Sequence, residues 1–180
     1  DRYQTVYSSI EGSIAAPTAG LHFDDQVFSA LATKQVQVAE VVLHVGLGTF
    51  KPIEADSIAE HRMHEEVFYI SDKTAELFRQ TRQSGGRIWA CGTTSVRTLE
   101  SAITATGELK TGWQSTDCFI TPGYQFRAVD CFITNFHLPR STLIVLVAAF
   151  CGREKVLELY QEAIAKEYRF YSFGDSMLLL

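Results

Sequence analysis

The 180-residue sequence predicts an α/β protein, a mixed and largely parallel sheet flanked by helices, on three observations. Short apolar or β-branched runs alternate with stretches of helical periodicity along most of the chain. Glycine, proline, serine and threonine punctuate nearly every junction between them. A compact apolar run at 87–91 passes directly into Gly92, Thr93, Thr94 and Ser95, which read as the turn from a buried strand to a helix.

The elements follow in order. Asp24 and Asp25 open a short helix with Val27, Phe28 and Leu31 as its apolar positions, the acids being favoured at a helix N-terminus. Residues 36–45 read as a strand leading into a glycine-rich loop, and 65–70 as a second strand. Ser71 then caps a helix that turns Leu77 and Phe78 inward and stops at Gly85 and Gly86. After the strand at 87–91 comes a helix over about 96–104 and a polar linker at 106–112. Two strands, 118–121 and 128–136, are joined through a turn at Pro122 and Gly123. Residues 141–150 read as a buried helix that Gly152 breaks. Residues 154–165 form an amphipathic helix with Val156, Leu157, Tyr160 and Ile164 on one face. A last strand at 168–173 runs into Gly174 and Asp175.

Composition narrows the function classes. Hydrophobic residues at 46% and charged residues at 21% are those of an ordinary globular protein, and the length suits one domain, residues 1–180. A formal charge of −5 gives no global basic footprint, so contact with nucleic acid needs a local patch or basic surface from elsewhere in the molecule. Cys91, Cys118, Cys131 and Cys151 show no Cys-x-x-Cys spacing and read as buried free thiols, which fits a reducing cytosol and a cytoplasmic location. The longest apolar run, 143–150, is too short to cross a membrane, and no signal-peptide pattern is visible. The chain opens at Asp1 in a tyrosine-rich segment, which reads as a fragment or a processed product.

Three histidines sit in loops of small residues beside apolar runs: His22 after Gly12, Pro17, Thr18 and Gly20, His44 before Gly46, Gly48 and Thr49, and His137 between Asn135 and Arg140. Imidazole among glycine, proline and threonine brings backbone N–H groups, hydroxyls and a near-neutral titrating group together, as a polar small-molecule site requires. Thr93, Thr94 and Ser95 at a helix start favour an anion by dipole and hydrogen bonding, with Arg97 placed to add a bidentate contact; an ordinary helix cap is the plainer alternative. Asn135, His137 and Arg140 fall where a strand ends and a helix begins, the usual ligand position in open α/β sheets. His61 and His64 resemble a metal pair at i and i+3, but no third ligand stands at a familiar spacing. A loop titrating near a substrate, a solvated turn and a metal-dependent hydrolase are the alternatives there.

Taken together, stretches 2–7, 12–23, 43–50, 60–64, 92–101, 122–124, 133–143 and 168–177 resemble, in order, the S-adenosylmethionine:tRNA ribosyltransferase-isomerases of queuosine biosynthesis. The resemblance implies transfer and isomerisation of the ribosyl group of S-adenosylmethionine onto an aminomethyl-deazaguanine base of tRNA. Adenine and methionine leave and epoxyqueuosine-tRNA forms. S-adenosylmethionine is then a substrate, and no metal or bound cofactor is expected. His44 and His137 become the leading catalytic bases, with His22 and His64 behind them. Thr49, Thr93, Thr94, Ser95, Arg97, Asn135 and Arg140 become substrate-binding candidates, and Phe50 and Phe136 rings for adenine or the sulfonium. Full family members carry a further N-terminal half with an inserted β-barrel domain. The chain is therefore expected to be the major part of an incomplete catalytic domain, with an exposed sheet edge and a tendency to self-associate. A fragment that binds S-adenosylmethionine or tRNA without turnover is the alternative.

Overall fold

The computed structural model describes residues 3–46, 53 and 57–180. Its elements run as a 3-10 turn (Thr18–His22), α1 (Asp25–Thr33), β1 (Val41–His44), a second 3-10 turn (Ile58–Glu60), β2 (Glu66–Ile70), α2 (Asp72–Gln83), β3 (Trp89–Cys91), α3 (Thr93–Ala102), β4 (Gly112–Thr116), β5 (Cys131–Asn135), α4 (Thr142–Cys151), α5 (Arg153–Ala165) and β6 (Ser176–Leu179). The α/β class holds, but the largely parallel sheet does not. Two three-stranded sheets form, in the orders β1-β2-β4 and β3-β5-β6. Only β3 with β5 is a parallel pair among the described strands. The cause is where the helices lead. Strand–helix–strand alternation makes parallel neighbours only when both strands join one sheet. Here α2 carries the chain from the first sheet to the second, and α3 carries it back to β4.

Local chemistry explains most boundaries. Ser71 accepts the Thr74 N–H (3.1 Å) at the start of α2, and Thr74 Oγ1 donates to Glu40 O (2.7 Å), tying that helix to the approach of β1. Ser141 caps α4 by accepting the Ile144 N–H. Gly92, at φ +89°, makes the turn from β3 into α3, which begins at Thr93, one turn earlier than expected.

Elsewhere the pattern misled. Residues 118–121 are not a strand; Ile120 is simply buried, and the strand is β4, which starts at the last residue of the expected linker and ends before 118. Residues 168–173 are not a strand either, because Phe170 turns into an aromatic cluster with Phe136 and Tyr160, and pairing starts at Ser176. On α5 the inward stripe is Val156, Leu159, Tyr160 and Ala163, while Leu157 and Ile164 are exposed. The stripe follows i, i+3, i+4, i+7 from Val156 and leaves the other two apolar residues outside. All four cysteines are free thiols, though only Cys131 is fully buried.

One core joins both sheets: Phe68 and Ile70 from β2, Val96 and Leu99 from α3, Phe132 from β5, and Leu146 and Val147 from α4. Each such side chain contributes about 1.5–3 kcal/mol on burial. Among the described residues no helix is long and apolar enough to cross a membrane.

Candidate functional site at the start of helix α3

Helix α3 is positioned from below by the parallel pair and from above by the N-terminal segment. Gly92 N–H donates to Ile133 O (2.8 Å), fixing the helix start beside β5. The 3-10 turn Thr18–His22 lies over β5, and a Cβ at Gly92 would stand 3.7 Å from Ala19 Cβ. Gly20 in that turn admits the Tyr7 hydroxyl, which a Cβ there would meet at 2.0 Å. Burial pushes the Tyr7 phenol up to about 12. No side chain caps the helix, so its first N–H groups keep their dipole and donor capacity. Ser95 Oγ donates back to Cys91 O (2.7 Å), leaving its lone pairs at the helix start.

Arg97 is not at that mouth. It is 3% exposed, its Nη1 pairs with Glu66 Oε2, and its Nε donates to Cys118 O (3.2 Å). Glu66 Oε1 accepts the Gly46 N–H (3.1 Å), so the pair links α3 to the glycine loop that follows His44. Ser13 strengthens the same corner through its Oγ, which accepts the Val45 N–H (3.2 Å). The His44 ring packs on Gly12 and stacks on Trp113 at 5.4 Å between centroids and 12° between planes. Thr49 and Phe50 lie outside the described residues.

The third histidine loop divides. Asn135 is buried; its Nδ2 donates to Tyr171 O (2.9 Å), and its Oδ1 has no partner among the described residues. Tyr171 adopts φ +70°, a strained backbone for a tyrosine, inside the 169–175 segment. Leu21 and His22 face that segment across a cleft of about 200 Å³, with Arg169 and Asp175 on its far wall. The Arg169 N–H (2.7 Å) and guanidinium hold the Asp175 carboxyl below the usual carboxylate range.

His137 turns away toward α5. Its Nε2 lies 2.7 Å from Thr134 Oγ1, and its N–H donates to Tyr160 Oη (2.7 Å). Burial pushes this imidazole down to about 4. Phe136 is 4% exposed and is packed by Tyr160, Tyr168 and Phe170, which leaves no ring face for a ligand. Arg140 is exposed at φ +60°. His61 and His64 lie on extended backbone, not one helical face; His61 packs edge-on to Phe119 and His64 is exposed.

Residues 1–179 match the family model described as "Queuosine biosynthesis protein". The chain belongs to this family. It is 56% identical over 178 residues to the S-adenosylmethionine:tRNA ribosyltransferase-isomerase of Ralstonia pickettii, covering 99% of this chain and 50% of that one. The enzyme of the same name from Nitrosospira multiformis is 53% identical over 189 residues, 99% of this chain and 53% of its own. The crystal structure of the Thermotoga maritima S-adenosylmethionine tRNA ribosyltransferase superposes with a TM-score of 0.74 at 46% identity, over 90% of this chain and 51% of that chain. The chain thus spans about half the length of the curated relatives it matches.

In this queuosine-family chain, two of the three histidine loops are tied to α3, at different points. The His44 ring packs on Gly12 on the outward side of the β1-β2-β4 sheet, while the Gly46 N–H two residues on reaches Glu66 and, through it, Arg97 of α3; at the other end of that helix, Gly92 lies beneath the turn bearing His22. His137, Phe136 and His64 stand apart. Tyr7, Glu66, Trp113 and Asp175 were not among the sequence candidates. The tyrosine-rich opening segment was the available sign for Tyr7; Trp113 stood between the expected linker and the expected strand at 118–121 and gave none.

The His137 geometry carries a pH expectation. Its folded value lies below the ordinary value of about 6.5, so the unfolded chain takes the proton first. The group's contribution is full above pH 6.5 and is lost as pH falls toward 4. The urea midpoint is expected to drop between pH 7 and pH 5, and to drop less in His137→Asn. Equal drops in both proteins refute this.

Proposed function

We propose that the chain carries the S-adenosylmethionine-binding and proton-transfer part of a tRNA ribosyltransferase-isomerase acting in the cytoplasm. The ribosyl group of S-adenosylmethionine moves to the aminomethyl-deazaguanine base, adenine and methionine leave, and the sugar rearranges to the epoxycyclopentane of epoxyqueuosine. The observation that carries the reading is the uncapped start of α3 beneath the 3-10 turn, in a chain matched over its length by enzymes of that name.

The residues suit the chemistry. The amides of Thr93, Thr94 and Ser95 and the hydroxyls of Thr93 and Thr94 receive the methionine carboxylate or a tRNA phosphate, the Ser95 hydroxyl being committed to Cys91 O. Asn135 Oδ1, buried without a partner among the described residues, accepts an N–H or O–H of the substrate, which removes the cost of leaving it unmade. The sulfonium acidifies the neighbouring C5′ hydrogens, and His44 takes the proton as general base. His22 stands second, at its cleft with Asp175. His137, held neutral and locked on Thr134 and Tyr160, is the weaker base. S-adenosylmethionine enters as substrate, so the scheme uses no separate cofactor.

The deciding assay mixes the chain with S-adenosylmethionine and tRNA bearing the aminomethyl-deazaguanine base and measures adenine, with and without the remaining half of a relative supplied as a separate polypeptide. Adenine is expected in the supplemented arm and not with His44→Ala. Unchanged release from His44→Ala removes His44 as base. The half-length match favours one other reading, binding without turnover; calorimetric binding of S-adenosylmethionine with no adenine in either arm selects it.

A further inference from the structure

We propose that the open face of the β1-β2-β4 sheet is a stacking platform for an unpaired RNA base, with Trp113 as its contact ring. This deepens the ribosyltransferase reading and rests on its tRNA substrate. Register puts Val42, Tyr69 and Trp113 in one row across the three strands, and His44, Val67 and Ser115 in the next. Side chains alternate along a strand, and the other set, including Leu43, Phe68 and Ile70, packs into the core. The outward face therefore meets solvent: Trp113 is 59% exposed and Val67 44%.

The exposed indole is held, not loose. It stacks on His44, and its ring lies 5.1 Å from that of Tyr69. Aromatic rings with polar edges, immobilised on an antiparallel sheet, bind single-stranded RNA by offering flat faces to its bases. Three features favour an RNA base as occupant. The face is open, whereas a free adenine in a small molecule needs a pocket enclosing most of its surface. It is continuous with the candidate site, because the His44 ring that supports Trp113 packs on Gly12 and leads to Gly46. And an exposed cation stands at each end in a chain of net charge −5: Lys110 precedes β4 at one end of the sheet and Arg62 precedes β2 at the other, where Glu65 accepts the Ser115 hydroxyl.

Trp113 reports on itself, since the chain has two tryptophans and Trp89→Phe leaves it as the single indole. That variant is titrated with a single-stranded RNA heptamer, with the same sequence as a duplex, and with S-adenosylmethionine. Quenching by the single strand ahead of the duplex is expected, and in calorimetry, which needs no indole, Trp113→Ala weakens single-strand binding about tenfold while Trp113→Phe restores most of it. Unchanged RNA affinity in Trp113→Ala overturns the proposal, as does quenching by S-adenosylmethionine alone. Adenine release is read separately: its absence with quenching intact refutes the ribosyltransferase reading and leaves the platform standing.

Discussion

Glu100→Ala is expected to destabilise the protein by about 3–5 kcal/mol, seen as a large fall in the urea midpoint. Glu100 is 5% exposed on α3, and its carboxylate accepts the N–H groups of Arg127 (3.0 Å), Ala128 (3.0 Å) and Val129 (3.0 Å) and the Tyr124 hydroxyl (3.2 Å). Alanine deletes the acceptor and leaves buried backbone donors that no neighbouring side chain satisfies. Each orphaned donor costs about 1–3 kcal/mol, and the segment that loses its anchor leads straight into β5. Glu100→Gln keeps one oxygen for Ala128 and Val129, so about half the loss or less is expected. A Glu100→Ala protein within about 1 kcal/mol of the parent in urea titration contradicts the assignment.

That residue also shows where sequence reading stops. The α3 sequence carries Arg97 and Glu100, which ordinarily mark a solvated face, yet both are buried. Spacing marks no single inward face here, because Thr93, Val96, Arg97, Thr98, Leu99, Glu100 and Ala102 are all buried and α3 is enclosed on most sides. What the spacing does not contain is the partners, Glu66 and the 127–129 amides, which arrive from about 30 residues away on either side. Caps and turns were readable because their chemistry is local, as at Ser71, Ser141 and Gly92. The division into two sheets was not, because pairing depends on where α2 and α3 deliver the chain. The same distinction runs through the site. Gly12, His44 and the α3 start were visible as unusual local combinations, whereas Tyr7 under Gly20 and Trp113 against His44 are long-range contacts.

Gly12→Ala is expected to cut adenine release about a hundredfold in the assay described above, the scale of loss when a reacting group shifts by about 1 Å. Gly12 has φ +131°, a conformation costly for alanine, and a Cβ there would stand 2.4 Å from His44 Cε1 and 2.6 Å from Nδ1. The imidazole must move, and moving it breaks the stack on Trp113 that fixes its plane. Gly46→Ala is the control: it lies in the loop after β1, its Cβ meets nothing within 4 Å among the described residues, and its N–H still reaches Glu66. Release within about threefold of the parent is expected there, a barrier change below about 1 kcal/mol. Circular dichroism and urea midpoints for both variants separate a displaced His44 from a damaged fold. If Gly12→Ala turns over at the parental rate, His44 is not the group whose position limits the reaction, and the role passes to His22 at its cleft with Asp175.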